Sequence, residues 1–227
     1  AVTLVLTYAE IPYDVVYDEQ ILTGELPKYD WLHLHHEDFT GQYGKFYKAY
    51  RSAAWYQAEV ERQSTTAQYM GFQKVSEMKR EVATTIRDFV LGGGFLFTMC
   101  SGTDSYDIAL AAQGADICGP MFDGDPADAS AQSKLDFEKG LAFQDYRLEM
   151  DPMVYEFSDV DGTKDHGGIK PINDFFTLFD FSAKWDIVPT MLTQSHERVI
   201  AGFMGQTTSF RKDFIRPDVT IMGDNRN

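Results

Sequence analysis

A glycine triplet set between two apolar runs constrains this chain more than any other stretch: FVLGGGFLFTMCSGTDSYDIALAA, residues 89–112. Just upstream, Met78, Val82, Ile86, Phe89 and Val90 recur at helical spacing and make one apolar face. Gly92, Gly93 and Gly94 end that helix, because glycine takes the left-handed C-cap conformation without a Cβ clash. Residues 95–99 (FLFTM) have the length and composition of a buried strand, and Cys100 to Thr103 turn the chain. Asp104 is placed to cap a second helix that runs to Ala112. The order is helix, strand, sharp turn, helix, with a cysteine at the carboxyl end of the strand. In open α/β sheets, ligands and catalytic groups collect at that end.

The rest of the first half continues this alternation. Residues 1–8 (AVTLVLTY) are followed by AEIPYDVVYDE, which has the form of a helix end leading through a proline link into a strand at 14–17. Residues 1–8 are therefore expected to be helical, and the strand that should precede them is expected upstream of Ala1, the chain being a fragment. Residues 21–26 read as a connection broken by Gly24 and Pro27, and 29–36 (YDWLHLHH) as a strand. Residues 46–62 read as an aromatic-rich helix and 64–71 as a polar linker. Beyond 112 the pattern changes. Residues 119–130 form a loop rich in Asp, Gly and Pro, 141–150 and 153–157 alternate as strands do, and 159–171 form another polar loop. Short apolar runs follow at 175–181, 187–192, 199–204 and 219–222. The expectation is one α/β domain over 1–227 with a mostly parallel sheet and a β-rich insertion or extension in its second half.

Charge and cysteine content narrow the function classes. A formal charge of -15 argues against nucleic acid, whose phosphates need clustered Lys and Arg. No apolar run reaches the roughly 18 residues of a membrane span, so no transmembrane segment is expected. Two cysteines, Cys100 and Cys118, make no disulfide framework and read as buried free thiols, one of them reactive. No cofactor is implied, and the expected partner is a small-molecule substrate or another protein.

Cys100 is the leading candidate nucleophile. A thiol on a strand-to-helix turn stands above the sheet, where the positive helix end favours a thiolate and backbone N–H groups of Ser101, Gly102 and Thr103 offer oxyanion or anion-binding donors. Such a thiol needs a base, usually His. The chain holds His33, His35, His36, His166 and His196. His36, with Glu37 and Asp38, lies just past a strand end. If that strand neighbours 95–99, these groups border the same crevice as Cys100. His33 and His35 share one strand face and suit either a structural role or a pair of metal ligands, but no third ligand has a recognisable spacing. FDGDPAD (122–128) and SDVDG (158–162) alternate carboxylates as calcium loops do, lack the spacing of an EF-hand, and read as solvated turns.

Several long runs carry a resemblance: YAEIPYDVVYDE, YDWLHLHHEDFTGQYGKFY, GGGFLFTMCSGTDSYDIALA, MFDGDPAD and PTMLTQSHERVIAGFMGQTTSFRK. Together they resemble a group of bacterial proteins labelled "asparagine synthetase B", over nearly the whole chain. The resemblance implies a flavodoxin-like, three-layer fold of the class I glutamine amidotransferase-like superfamily, which includes the ThuA and DJ-1/PfpI relatives. Its members extend further at both ends and begin with an export signal, which implies an extracytoplasmic location, periplasmic or secreted. In that superfamily the nucleophilic cysteine occupies a strand–helix turn, as Cys100 does, although Thr98 and Gly102 stand here where its elbow has two glycines. The implied reaction is amide transfer or hydrolysis. A non-catalytic binding or assembly module on the same fold is the alternative. SGTDS (101–105) is also similar to the S-G-G-x-D-S loop of the ATP pyrophosphatase domain, one glycine shorter, which would imply ATP-dependent amide synthesis.

Overall fold

The computed structural model describes residues 2–161, 175–178, 199–201, 210–221 and 223–225. They fall into two compact units, Ala1–Ser158 and Asp159–Asn227.

The first unit is organised by helix α5, Val75–Leu91. (Ahead of it come α1 Val2–Tyr8, α2 Asp18–Leu22, α3 Tyr47–Tyr50 and α4 Ala54–Tyr69.) The α5 side chains at helical spacing, Met78, Val82 and Ile86, are fully buried and anchor the core, as the periodicity predicts. Its start is held by Glu77 Oε2, which accepts the Gln73 and Lys74 N–H groups. At its end Gly93 takes φ +103°, the Gly93 N–H reaches the Val90 carbonyl, and the Gly94 N–H reaches that of Phe89. This is a Schellman closure, and it turns the chain straight into β2, Phe95–Thr98. Strand β1, Trp31–Leu34, pairs with β2 in parallel, with Trp31 opposite Phe95 and Leu34 opposite Thr98. Helix α6, Ser101–Ala111, follows directly and packs on α5.

One face of this pair is covered and the other is open. Leu32 and Leu34 join the core with Tyr106 and Leu110 of α6, whereas Trp31, Phe95 and Phe97 are exposed. The run 95–99 is thus half-buried rather than buried. The described residues support a mixed α/β arrangement with a parallel strand pair. In the second unit β3 (Phe175–Leu178) lies between β4 (Val199–Ala201) and β5 (Gly223–Asn225), antiparallel to both. Strands β3 and β4 fall within the apolar runs 175–181 and 199–204. Strand β5 begins just past the run 219–222, and 187–192 lies outside the described residues.

Several sequence expectations give way. The supposed linker 64–71 is mostly the continuation of α4 through Tyr69, because Tyr56, Gln63 and Ala67 recur at helical spacing and are buried. Residues 21–26 are partly helical: α2 covers Ile21 and Leu22, and a 3₁₀ turn spans Leu26–Lys28. Residues 141–150 and 153–157 form no strand; they hold only isolated bridge positions, at Phe143 and between Leu148 and Ser158. The backbone at the start of the first stretch is drawn elsewhere: the buried Asp107 carboxylate accepts the N–H groups of Leu141, Ala142 and Phe143 at 2.5, 3.0 and 3.1 Å. Residues 14–17 form no assigned strand either. Short helix α7, Pro120–Asp123, interrupts the loop expected at 119–130.

Candidate functional site

The register of the parallel pair builds the site. Leu34 and Thr98 are opposite one another, and the Met99 N–H donates to the Leu34 carbonyl at 2.9 Å. Two residues further on each strand stand His36 and Cys100, so the ladder delivers them to matching positions. His36 Nδ1 lies 3.0 Å from Cys100 Sγ. That is within hydrogen-bonding reach for a thiol and a base.

Cys100 has φ +52° and ψ −140° and is the residue from which α6 starts. For a side chain with a Cβ this backbone region costs about 1–3 kcal/mol, and such strain concentrates at functional sites. Only Met99 and Cys100 separate β2 from α6. Asp104 is therefore not the cap; it lies inside the first turn, buried. Cys100 is exposed and Cys118 is buried, so the expectation that both thiols are buried holds for only one. Neither is in a disulfide.

The helix end offers fewer donors than the sequence suggests. The Gly102 N–H is taken by the Met99 carbonyl and the Thr103 N–H by the Cys100 carbonyl, each at 3.1 Å. The Ser101 N–H enters no such bond, and the Ser101 hydroxyl is buried without a hydrogen-bond partner among the described residues. Glu37 lies against this helix end: a Cβ placed on Gly102 would stand 3.6 Å from Glu37 Oε2 and 3.5 Å from Leu34 Cβ. Both are ordinary contacts, so Gly102 is not sterically required to be glycine.

Behind His36 is a support that the sequence did not reveal. Its ring stacks on Phe46 (centroids 5.8 Å apart, 26° between planes), and Phe46 in turn meets Tyr50, Trp55 and Tyr155. The loop leading to Phe46 is tightly built. Buried Asp38 accepts the Thr40 N–H and hydroxyl on one oxygen and the Gly44 N–H on the other. Tyr43, Gly44 and Lys45 have φ of +51°, +72° and +58° in succession. The buried Lys45 ammonium donates to the carbonyls of Glu149 and Asp151. The signal available in the sequence was TGQYG, two glycines closing a loop between His36 and Phe46.

The other candidates fall away from Cys100. His33 packs on Phe97 with centroids 5.1 Å apart, and its ring lies 6.4 Å from that of His35. Burial, and then His35, lower the His33 pKa from its usual value. Among the described residues, the group with metal-ligand proximity is instead Asp116, Cys118 and Asp123, whose ligand atoms lie within 4.8 Å of one another. Lys74 already supplies positive charge there, with Nζ 2.6 Å from Asp116 and from Asp125 and 3.5 Å from Asp123. Burial pushes the Cys118 thiol well above its usual range, and its Sγ donates to the Thr40 carbonyl. Within FDGDPAD, Asp123 and Asp125 pair with Lys74 while Gly124, Asp125 and Pro126 are exposed, so the stretch is a solvated turn tied down by Lys74. His166 and His196 lie outside the described residues.

A cavity of about 870 Å³ is lined by every residue of β1 and by none of β2. His36, Glu37 and Phe46 line it, but Cys100 does not. No helix among the described residues is long and apolar enough to cross a membrane. Compared with known family models, curated proteins and solved structures, the chain matches none.

Proposed function

We propose that this chain is a flavodoxin-like domain of the class I glutamine amidotransferase-like kind, in which Cys100 attacks an amide or ester carbonyl and His36 handles the proton. The single observation that carries the reading is the 3.0 Å contact between Cys100 Sγ and His36 Nδ1, made from a strained turn at the start of an eleven-residue helix. The sequence resemblance supports the same reading, and with it an extracytoplasmic location and a small-molecule substrate.

The chemistry follows from these positions. His36 takes the thiol proton as Sγ bonds to the carbonyl carbon, and the carbonyl π electrons pass to its oxygen. The Ser101 N–H and the positive end of α6 face the developing oxyanion. Collapse expels the amine or alcohol, which leaves with the proton from His36, and a thioester remains on Cys100. Water then hydrolyses that thioester, with His36 again moving the proton. Glu37, against Gly102, brings negative charge to the helix end and favours neutral or cationic substrates over anionic ones. The test is hydrolysis of p-nitrophenyl acetate and glutamine by the wild type and by Cys100→Ala. Loss of turnover in the variant is expected; unchanged turnover overturns the reading.

The second reading, a binding or assembly module without catalysis, is favoured by a specific observation: the Gly102 and Thr103 N–H groups are already engaged. It predicts that Cys100 reacts with iodoacetamide no faster than free cysteine. The same engaged amides weigh against ATP phosphate binding at 101–105, which equilibrium titration with ATP tests directly.

A further inference from the structure

The segment that leaves α6 brings a thiol and two carboxylates to one point, apart from Cys100 and His36. The ligand atoms of Asp116, Cys118 and Asp123 lie within 4.8 Å of one another. Each residue is held in place. Asp116 Oδ1 accepts the Cys118 N–H at 2.9 Å, and the Asp116 carbonyl accepts the Asp128 N–H at 2.8 Å. Asp123 closes the short helix α7, whose Phe122 packs against the rings of Tyr43 and Tyr47. Cys118 is fully buried, and its Sγ donates to the Thr40 carbonyl at 3.1 Å.

Two observations set this cluster apart from a surface ion pair. First, the Asp123 side chain is only 6% exposed, and its Oδ2 has no hydrogen-bond partner among the described residues. Lys74 Nζ stands 3.5 Å from that oxygen, too far for a hydrogen bond, because its bonds go to Asp116 and Asp125 at 2.6 Å each. An ionised acceptor left unmatched at this depth is costly. Second, the charges do not balance. Asp116, Asp123 and Asp125 share one ammonium, while near Cys118 Asp38 adds a negative charge and Arg80 a positive one. Four carboxylates against two cations leave a surplus equal to the charge of one divalent cation. Half-exposed Asp125 and partly exposed Asp116 leave the cluster open to solvent on one side.

The donor set selects the metal. Ca²⁺ and Mg²⁺ take oxygen ligands, whereas a thiolate beside two carboxylates suits a borderline ion such as Zn²⁺. Tetrahedral ligands about 2.0–2.3 Å from zinc stand roughly 3.5 Å from one another. A spread of up to 4.8 Å therefore closes with shifts of about 1 Å. We infer that Asp116, Cys118 and Asp123 form a binding site for a zinc-type divalent cation, with Lys74 as the resident counter-ion that moves onto Asp125 when the metal enters. The Cys118 thiol proton passes to water as the S–metal bond forms, and no electron is transferred. The Thr40 carbonyl or a water molecule completes the four positions. The bound metal joins the segment after α6 to α7.

Titration of residues 1–227 with Co²⁺ tests this, because Co²⁺ occupies zinc sites and shows a sulfur-to-metal charge-transfer band when a thiolate binds it. The band is expected at one metal per chain, unchanged in Cys100→Ala and lost in Cys118→Ser. That contrast separates the site from the thiol beside His36, whether or not Cys100 is catalytic. Zn²⁺ abolishes the band by competition, and about a hundredfold excess of Ca²⁺ does not. Asp123→Asn weakens binding by about tenfold or more. Lys74→Met removes the competing ammonium and tightens binding by about tenfold, a gain that a misfolded chain cannot mimic. Each variant is compared only where its circular dichroism matches the wild type. Four results would each overturn the inference. They are no band at about 1 mM Co²⁺, a band that follows Cys100 instead of Cys118, displacement by Ca²⁺, and weaker binding by natively folded Lys74→Met.

Discussion

Cys100 carries two opposing demands in one residue. Its φ of +52° suits glycine, while the proposed chemistry needs a thiol. Cys100→Gly is therefore expected to be more stable than Cys100→Ala by about 1–2 kcal/mol, measured by urea unfolding, while being just as inactive. Equal stabilities would remove the claim of strain. His33 supplies a separate prediction. Burial and His35 depress its pKa in the fold below the usual 6.5, while Glu37 acts weakly in the opposite sense. A histidine whose folded pKa is depressed contributes stability that is present above the unfolded value and lost as pH falls through the folded one. Unfolding free energy should therefore decline as pH drops below about 6.5, and His33→Asn should flatten that decline. Identical pH profiles for the two proteins would contradict it. His36 and Cys100 could be proposed from their places at two strand ends. Phe46 could not, since stacking behind His36 depends on a loop with three successive positive φ values.

At the scale of elements, legibility followed periodicity. Helix α5 could be read because Met78, Val82 and Ile86 repeat on one face and a glycine triplet marks its end. Ile86→Ala should cost about 2–5 kcal/mol, as expected of a fully buried aliphatic side chain. A loss below 1 kcal/mol in urea unfolding would show that this face is not the core. Residues 141–157 misled for the converse reason. They alternate as strands do, but the N–H groups of Leu141, Ala142 and Phe143 go to one carboxylate and others go to side chains or nearby carbonyls rather than to a strand ladder. No local pattern reports that Asp107, about 34 residues away, accepts three of them. Removing that acceptor in Asp107→Ala should cost about 3 kcal/mol or more, whereas Asp107→Leu, which has the same branching and no acceptor, should not rescue it. The continuation of α4 through Tyr69 was missed, and read as a linker at 64–71, because polar residues conceal the buried Gln63 and Ala67 face.

For the molecule as a whole, the order helix, strand, turn, helix was legible, and the number of strands around it was not. The described residues hold a parallel pair in one unit and a three-stranded antiparallel sheet in the other. The central claim concerns where the first unit's ladder ends, with a thiol and an imidazole 3.0 Å apart. The rate of iodoacetamide alkylation at pH 7 tests it most directly, with the buried Cys118 unreactive in the native protein and serving as internal control. Cys100 is expected to react at least about tenfold faster than free cysteine, and His36→Gln to bring it back to the free-thiol rate. A Cys100 that reacts no faster than free cysteine, with or without His36, would contradict the account.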